Sequence, residues 1–129
     1  MTDPTASLLA AGLEAFNAGA FWESHEHLET LWKISAPSER DLFQGLIQLA
    51  AAFLKVERAE YRPAVTLFEK AIARLSPYRN RPHGLDVQEI VAIAATSLER
   101  LRELGPDQLD RFGSDEFPRL EPDSGASSR

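Results

Sequence analysis

The stretch RDLFQGLIQLAAAFLK, Arg40 to Lys55, constrains this chain more than any other. Placed on a helix at about 100° per residue, Leu42, Phe43, Leu46, Ile47, Phe53 and Leu54 cover a broad arc. Gly45, Ala50, Ala51 and Ala52 add little bulk elsewhere, and Asp41, Gln44, Gln48 and Lys55 form one narrow polar stripe. A helix apolar over most of its circumference must be covered on nearly every side, so it is the central element of a helical domain. Its stripe must face solvent or a polar partner inside the bundle.

The remaining segments are suited to covering it, since every apolar period is helical and no alternating strand pattern occurs. Asp3-Pro4 predicts an N-cap followed by proline at the first helical position, and Gly19 suits the residue after a helix end. Helix one therefore spans about 4–18, with Leu9, Leu13 and Phe16 inward, and helix two about 21–34, stopping before Pro37. Ser38 to Asp41 reads as a capping box with Asp in the usual Glu position, opening a third helix that runs to about 58. Helix four covers about 61–76, with Pro63 tolerated in its first turn and Pro77 ending it. SPYRNRPHGLD is a loop, Asp86 with Glu89 opens helix five, and Gly105-Pro106 closes it before a short turn near 107–112.

A shift of 40 residues aligns AFWESHEHLE with EYRPAVTLFE, so that Phe21 meets Tyr61, Ser24 meets Ala64, Leu28 meets Phe68, Glu29 meets Glu69 and Trp32 meets Ile72. Upstream, Ala10 meets Ala50 and Leu13 meets Phe53. Two similar hairpins in series point to tetratricopeptide-like packing. The expectation is an all-α bundle of about five helices, two antiparallel hairpins plus a fifth packing helix, forming one domain over 1–112. Residues 113–129 read as a largely irregular or disordered tail ending in PDSGASSR.

Bulk properties exclude several functions. A net charge of −6 with no basic face argues against nucleic acid or an anionic membrane as partner. The absence of cysteine removes disulfides and thiolate metal sites and suits a reducing compartment. The amino terminus has no positive lead-in before its apolar stretch and carries Asp3 and Glu14, so it reads as a helix rather than a signal peptide. The longest apolar run, LIQLAAAFL, is far short of a membrane span. The expected location is the cytoplasm.

Chemistry concentrates in FWESHEHLETLW. On a helical projection Phe21, His25, Leu28 and Trp32 fall within roughly 60° of one another, with His25 in the middle of the inward stripe where the second hairpin has Val65. Glu29 lies one turn on at the stripe's edge near Trp22, while Glu23, His27 and Thr30 point away into solvent. A histidine and a glutamate four apart can form a structural hydrogen-bonded pair satisfied by Gln44, Gln48 or Arg40. They can equally hold a divalent metal such as zinc, with His83 or another carboxylate completing the set. Acid–base chemistry and small-ligand binding are further options. Arg40 is a solvated first-turn residue or a partner for Glu26 or Glu29 across the helix pair. The zinc-protease His-Glu-x-x-His pattern fails because Glu29 stands where its second histidine belongs, and no phosphate loop, serine elbow or cysteine nucleophile is present.

His25-x-x-x-Glu29-x-x-Trp32, inside FWESHEHLETLW and followed by RDLFQGLIQLAAAFLK, resembles the bacterial and archaeal family called domain of unknown function 309. The resemblance runs from about Phe16 to Leu75, with a weaker echo in GLDV at 84–87. It implies a small all-helical protein without an established biochemical role. It also implies a suggested metal site on His25 and Glu29, Trp32 as third signature residue, and Gln44, Gly45 and Gln48 as a second block; no role passes to His27.

The leading expectation is a non-catalytic binding module. Its polar pocket, lined by His25, Glu29, Trp32, Glu26, Arg40, Gln44 and Gln48, would take a metal, a small ligand or a protein partner, a second copy of the chain included. The alternatives are a metal-dependent, hydrolase-like enzyme with His25 and Glu29 as ligands and Glu26 as base, and a purely structural His25–Glu29 pair tying helices two and three together.

Overall fold

A computed structural model describes residues 3–120. It contains α1 (Pro4–Asn17), α2 (Phe21–Lys33), α3 (Arg40–Glu57), α4 (Tyr61–Leu75) and α5 (Val87–Leu104), with short 3-10 turns at Pro37–Glu39, Pro82–Gly84, Leu109–Arg111 and Ser114–Glu116. No strand occurs among the described residues, and the chain is an all-α bundle. Among the described residues no helix is long and apolar enough to cross a membrane.

Two of the expected caps form. Asp3 accepts from the Thr5 N–H at 3.0 Å, and Asp86 accepts from the Glu89 N–H at 3.1 Å, each satisfying a donor the first helical turn leaves free. The capping box expected at Ser38 does not form. Pro37 instead starts a 3-10 turn that runs straight into α3, so Ser38 lies inside the turn and no side chain caps Glu39. Asp41 is drawn away to Arg74 of α4 at 2.6 Å.

The repeat is visible in the backbone. After α1, the Gly19 N–H donates to Phe16 O at 3.0 Å and the Ala20 N–H to Ala15 O at 2.8 Å. Forty residues on, the Ala59 N–H donates to Val56 O at 3.0 Å and the Glu60 N–H to Lys55 O at 2.9 Å. Both turns are Schellman motifs, and both need a left-handed residue: Gly19 has φ +79° and Ala59 φ +58°. Glycine adopts that conformation freely; alanine does so at a cost of about 1 kcal/mol.

Phe53 of α3 sits fully buried where the two hairpins meet. Its ring lies 5.6 Å from Phe16, 5.6 Å from Phe21, 5.0 Å from Phe68 and 5.7 Å from Phe117. α3 is thus the central helix its sequence requires. Each hairpin also has one close helix approach. A Cβ on Gly12 would stand 2.7 Å from Leu28 Cδ2, and one on Gly45 2.7 Å from Leu75 Cδ2.

Residues 113–120 carry only the short 3-10 turn Ser114–Glu116, yet the segment is anchored. Phe117 packs on Phe21 at 5.5 Å and Phe112 at 5.0 Å, Leu120 is buried, and Asn17 holds the Leu120 backbone through both ends of its amide, at 2.8 and 2.7 Å. The PDSGASSR segment lies outside the described residues.

Candidate functional site

α2 presents three faces, and they are not quite those its own periodicity suggests. The buried ridge is Phe21, Ser24, Leu28 and Leu31. His25 and Trp32, expected within that ridge, are half-buried on its flank, and Trp22 and Glu26 are exposed beyond them. The cause is α1. Ser24 is small, and its hydroxyl donates to Gly12 O at 2.8 Å, so α1 closes against the Ser24 side of α2 and turns the apolar centre towards it. The same closure half-buries His27, expected in solvent, beside Gly12. Glu23 and Thr30 are exposed as expected.

On the flank, one ligand atom each from His25, Glu26 and Glu29 lies within 4.8 Å of the others. Glu29 follows His25 by one turn, as two ligands on one helix face require. Glu26 starts about 100° away, but its flexible side chain brings Oε2 to 3.9 Å from His25 Nδ1. The His25 side chain is 25% exposed, yet Nδ1 itself is covered and has no hydrogen-bond partner. The indole of Trp22 stacks on the imidazole with centroids 5.9 Å apart and planes 5° from parallel. Trp22 is itself 56% exposed, so this stack covers one face of the imidazole from the solvent side.

The other expected site residues divide. Arg40 does not pair with Glu26 or Glu29. Its guanidinium lies 4.5 Å from the centroid of the Trp32 ring, a cation–π contact that joins the start of α3 to the end of α2. His83 is not with the cluster: Nε2 is 2.7 Å from Glu39 Oε2 and the ring packs on Phe43 at 5.5 Å. Gln44 is half-buried and Gln48 is only 8% exposed, with Oε1 unpartnered. No hydrogen bond among the described residues links either glutamine to His25 or Glu29.

Glu26 was expected in the pocket lining and, in the hydrolase-like alternative, as a base, but not as a metal ligand. Its place among the donors was hidden because neighbouring residues diverge on a helix, and only the side-chain rotamer brings it back. One imidazole nitrogen and two carboxylates are a donor set that zinc, manganese or iron accepts. At metal–ligand distances of about 2.0–2.2 Å, two donors on one ion are at most about 4.4 Å apart. Small side-chain rotations would bring the three donors within that distance.

Residues 9–67 match the model of a protein family described as Domain of unknown function (DUF309), a span that runs from α1 to the first half of α4 and contains the whole cluster. No curated protein and no solved structure matches the chain.

Proposed function

We propose that this chain, which belongs through residues 9–67 to the DUF309 family, is a non-catalytic helical module that binds a divalent cation through His25, Glu26 and Glu29. The observation that carries the reading is the convergence of three donor atoms within 4.8 Å on a half-buried face, one of them a covered imidazole nitrogen without a partner. A buried polar atom left unpaired costs about 1–3 kcal/mol, and coordination removes that cost.

The rival readings fit less well. A structural His25–Glu29 tie calls for a hydrogen bond that does not form among the described residues, and Arg40 on Trp32 joins the two helices instead. A hydrolase-like reading needs Glu26 as a free base, whereas Glu26 is one of the converging donors. The ion would be bound on three sides by protein and leave positions for water or a small ligand. The acidic, cysteine-free chain suits work in the cytoplasm, apart from nucleic acid and membranes.

Metal analysis and calorimetric titration of untagged protein with zinc and with manganese test this. The expected result is one ion per chain, with the dissociation constant raised at least about tenfold by His25→Ala, in line with loss of a ligand worth upwards of 1.4 kcal/mol. A protein that binds neither ion, or an affinity unchanged by His25→Ala, overturns it.

A further inference from the structure

A second site lies away from the cation cluster, at the end of the bundle where the α1–α2 turn, the last turn of α3 and the segment after α5 meet. A cavity of about 300 Å³ opens there, within the range of small-molecule sites. Phe16, Gly19, Phe21, Phe117 and Pro118 are among its lining residues. The polar groups around it are largely engaged. The amide of Asn17 is held by the Leu120 backbone, and its carbonyl lies 3.5 Å from the Arg119 guanidinium.

The exception is Glu57. This carboxylate lines the cavity and makes no hydrogen bond or salt bridge to any described residue. Loss of water around it pushes its pKa above the ordinary glutamate value, and the charge of Arg58 beside it only partly opposes that. Ser114 also lines the cavity. A largely apolar hollow with a single unpaired carboxylate in its lining is complementary to a cation carrying an apolar body, since the carboxylate attracts the charge and the lining takes the apolar part.

We propose that this cavity binds a small primary amine in its ammonium form, with an apolar group of single-ring size against the half-buried Phe117 and Pro118 and the ammonium on Glu57. One of its walls, Ser114 to Pro118, lies outside the span matched by the family model, so the site belongs to this chain's own carboxy-terminal segment. It is independent of the cation cluster.

Benzylammonium chloride titrated into the full chain, read by backbone amide shifts, tests the proposal, with benzyl alcohol as the uncharged isostere. Shifts are expected at Gly19 and Ser114, with the amine binding at least about threefold more tightly than the alcohol, as a partly exposed ion pair supports. Glu57→Gln, at an exposed position, should keep the amide spectrum of the folded protein and lose the preference. No shift at those amides, equal binding of amine and alcohol to the parent protein, or a preference that survives in Glu57→Gln overturns the proposal.

Discussion

The two hairpins share a turn geometry and a close helix contact, yet among the described residues one carries a cluster of donor atoms and the other does not. His25 becomes Val65, Glu26 becomes Thr66 and Trp22 becomes Arg62. Glu29 keeps its identity as Glu69, but Glu69 is held by Arg102 of α5 at 2.6 Å, whereas Glu29 has no basic partner among the described residues. Around Val65 the surface forms a depression of about 430 Å³ lined by Tyr61, Arg62, Val65, Thr66 and Pro106. The same scaffold therefore tolerates either outcome, and what separates them is three side chains and one competing arginine. Scaffold and site are separable properties of this sequence.

If that is right, the site can be transplanted. Val65→His with Thr66→Glu and Arg102→Ala should give the second hairpin its own donor set and raise the zinc stoichiometry from one to two. A new site of micromolar affinity corresponds to about 8 kcal/mol of binding free energy. Calorimetry that still returns one ion would mean the scaffold around α2 contributes something the second hairpin lacks.

The close contacts should respond alike in both hairpins. Gly12→Ala and Gly45→Ala each gain about 1 kcal/mol of helix propensity but press a methyl onto a buried leucine. Overpacking of this kind costs about 1–3 kcal/mol, so denaturant titration should show both variants less stable. A net gain in either one would show that its leucine has room to move.

The turns should respond in opposite directions. Nothing stands within 4 Å of a Cβ at Gly19, so Gly19→Ala should cost only the left-handed backbone penalty of about 1 kcal/mol. Ala59→Gly relieves the same strain but adds freedom to the unfolded chain, for a net gain below about 1 kcal/mol. Equal thermal shifts of the same sign would break the equivalence of the two turns.

The smallest effect concerns the anchored segment, which touches the α1–α2 turn and has no counterpart on the second hairpin. Glu116 accepts from the Gly113 N–H at 2.9 Å and from Arg100 at 2.8 Å, and these contacts hold its pKa below the ordinary value of 4.5. Its folded pKa being depressed, the stabilisation is full above 4.5 and is lost as pH falls through the lower folded value. Amide signals of Gly113 and Leu120 should shift towards a released segment in that acidic window. Glu116→Gln should remove this pH dependence.

Much of the fold was legible because helix limits are written locally. Asp3-Pro4, Asp86 with Glu89, and Gly19 act through neighbours two or three residues away. Ser38 misled because Pro37 set a different turn and Arg74, far away in sequence, took Asp41. The site was legible in part. Periodicity placed His25 and Glu29 together, but the direction of burial on α2 depends on Gly12 of another helix, which no pattern within α2 records. Glu26 and the Trp32–Arg40 contact depend on rotamers, and rotamers have no signature in spacing. The anchoring of Phe117 and Leu120 was masked by a polar, proline-containing segment that lacks any helical period.

The difference between the hairpins comes down to a cation held by the first and not by the second. Titration with manganese, followed by paramagnetic broadening of backbone amides, addresses both halves at once. The predicted result is selective loss of the His25 to Glu29 signals at substoichiometric manganese, with Val65 to Glu69 unaffected. Broadening spread evenly over exposed acidic residues, Glu69 included, would contradict it.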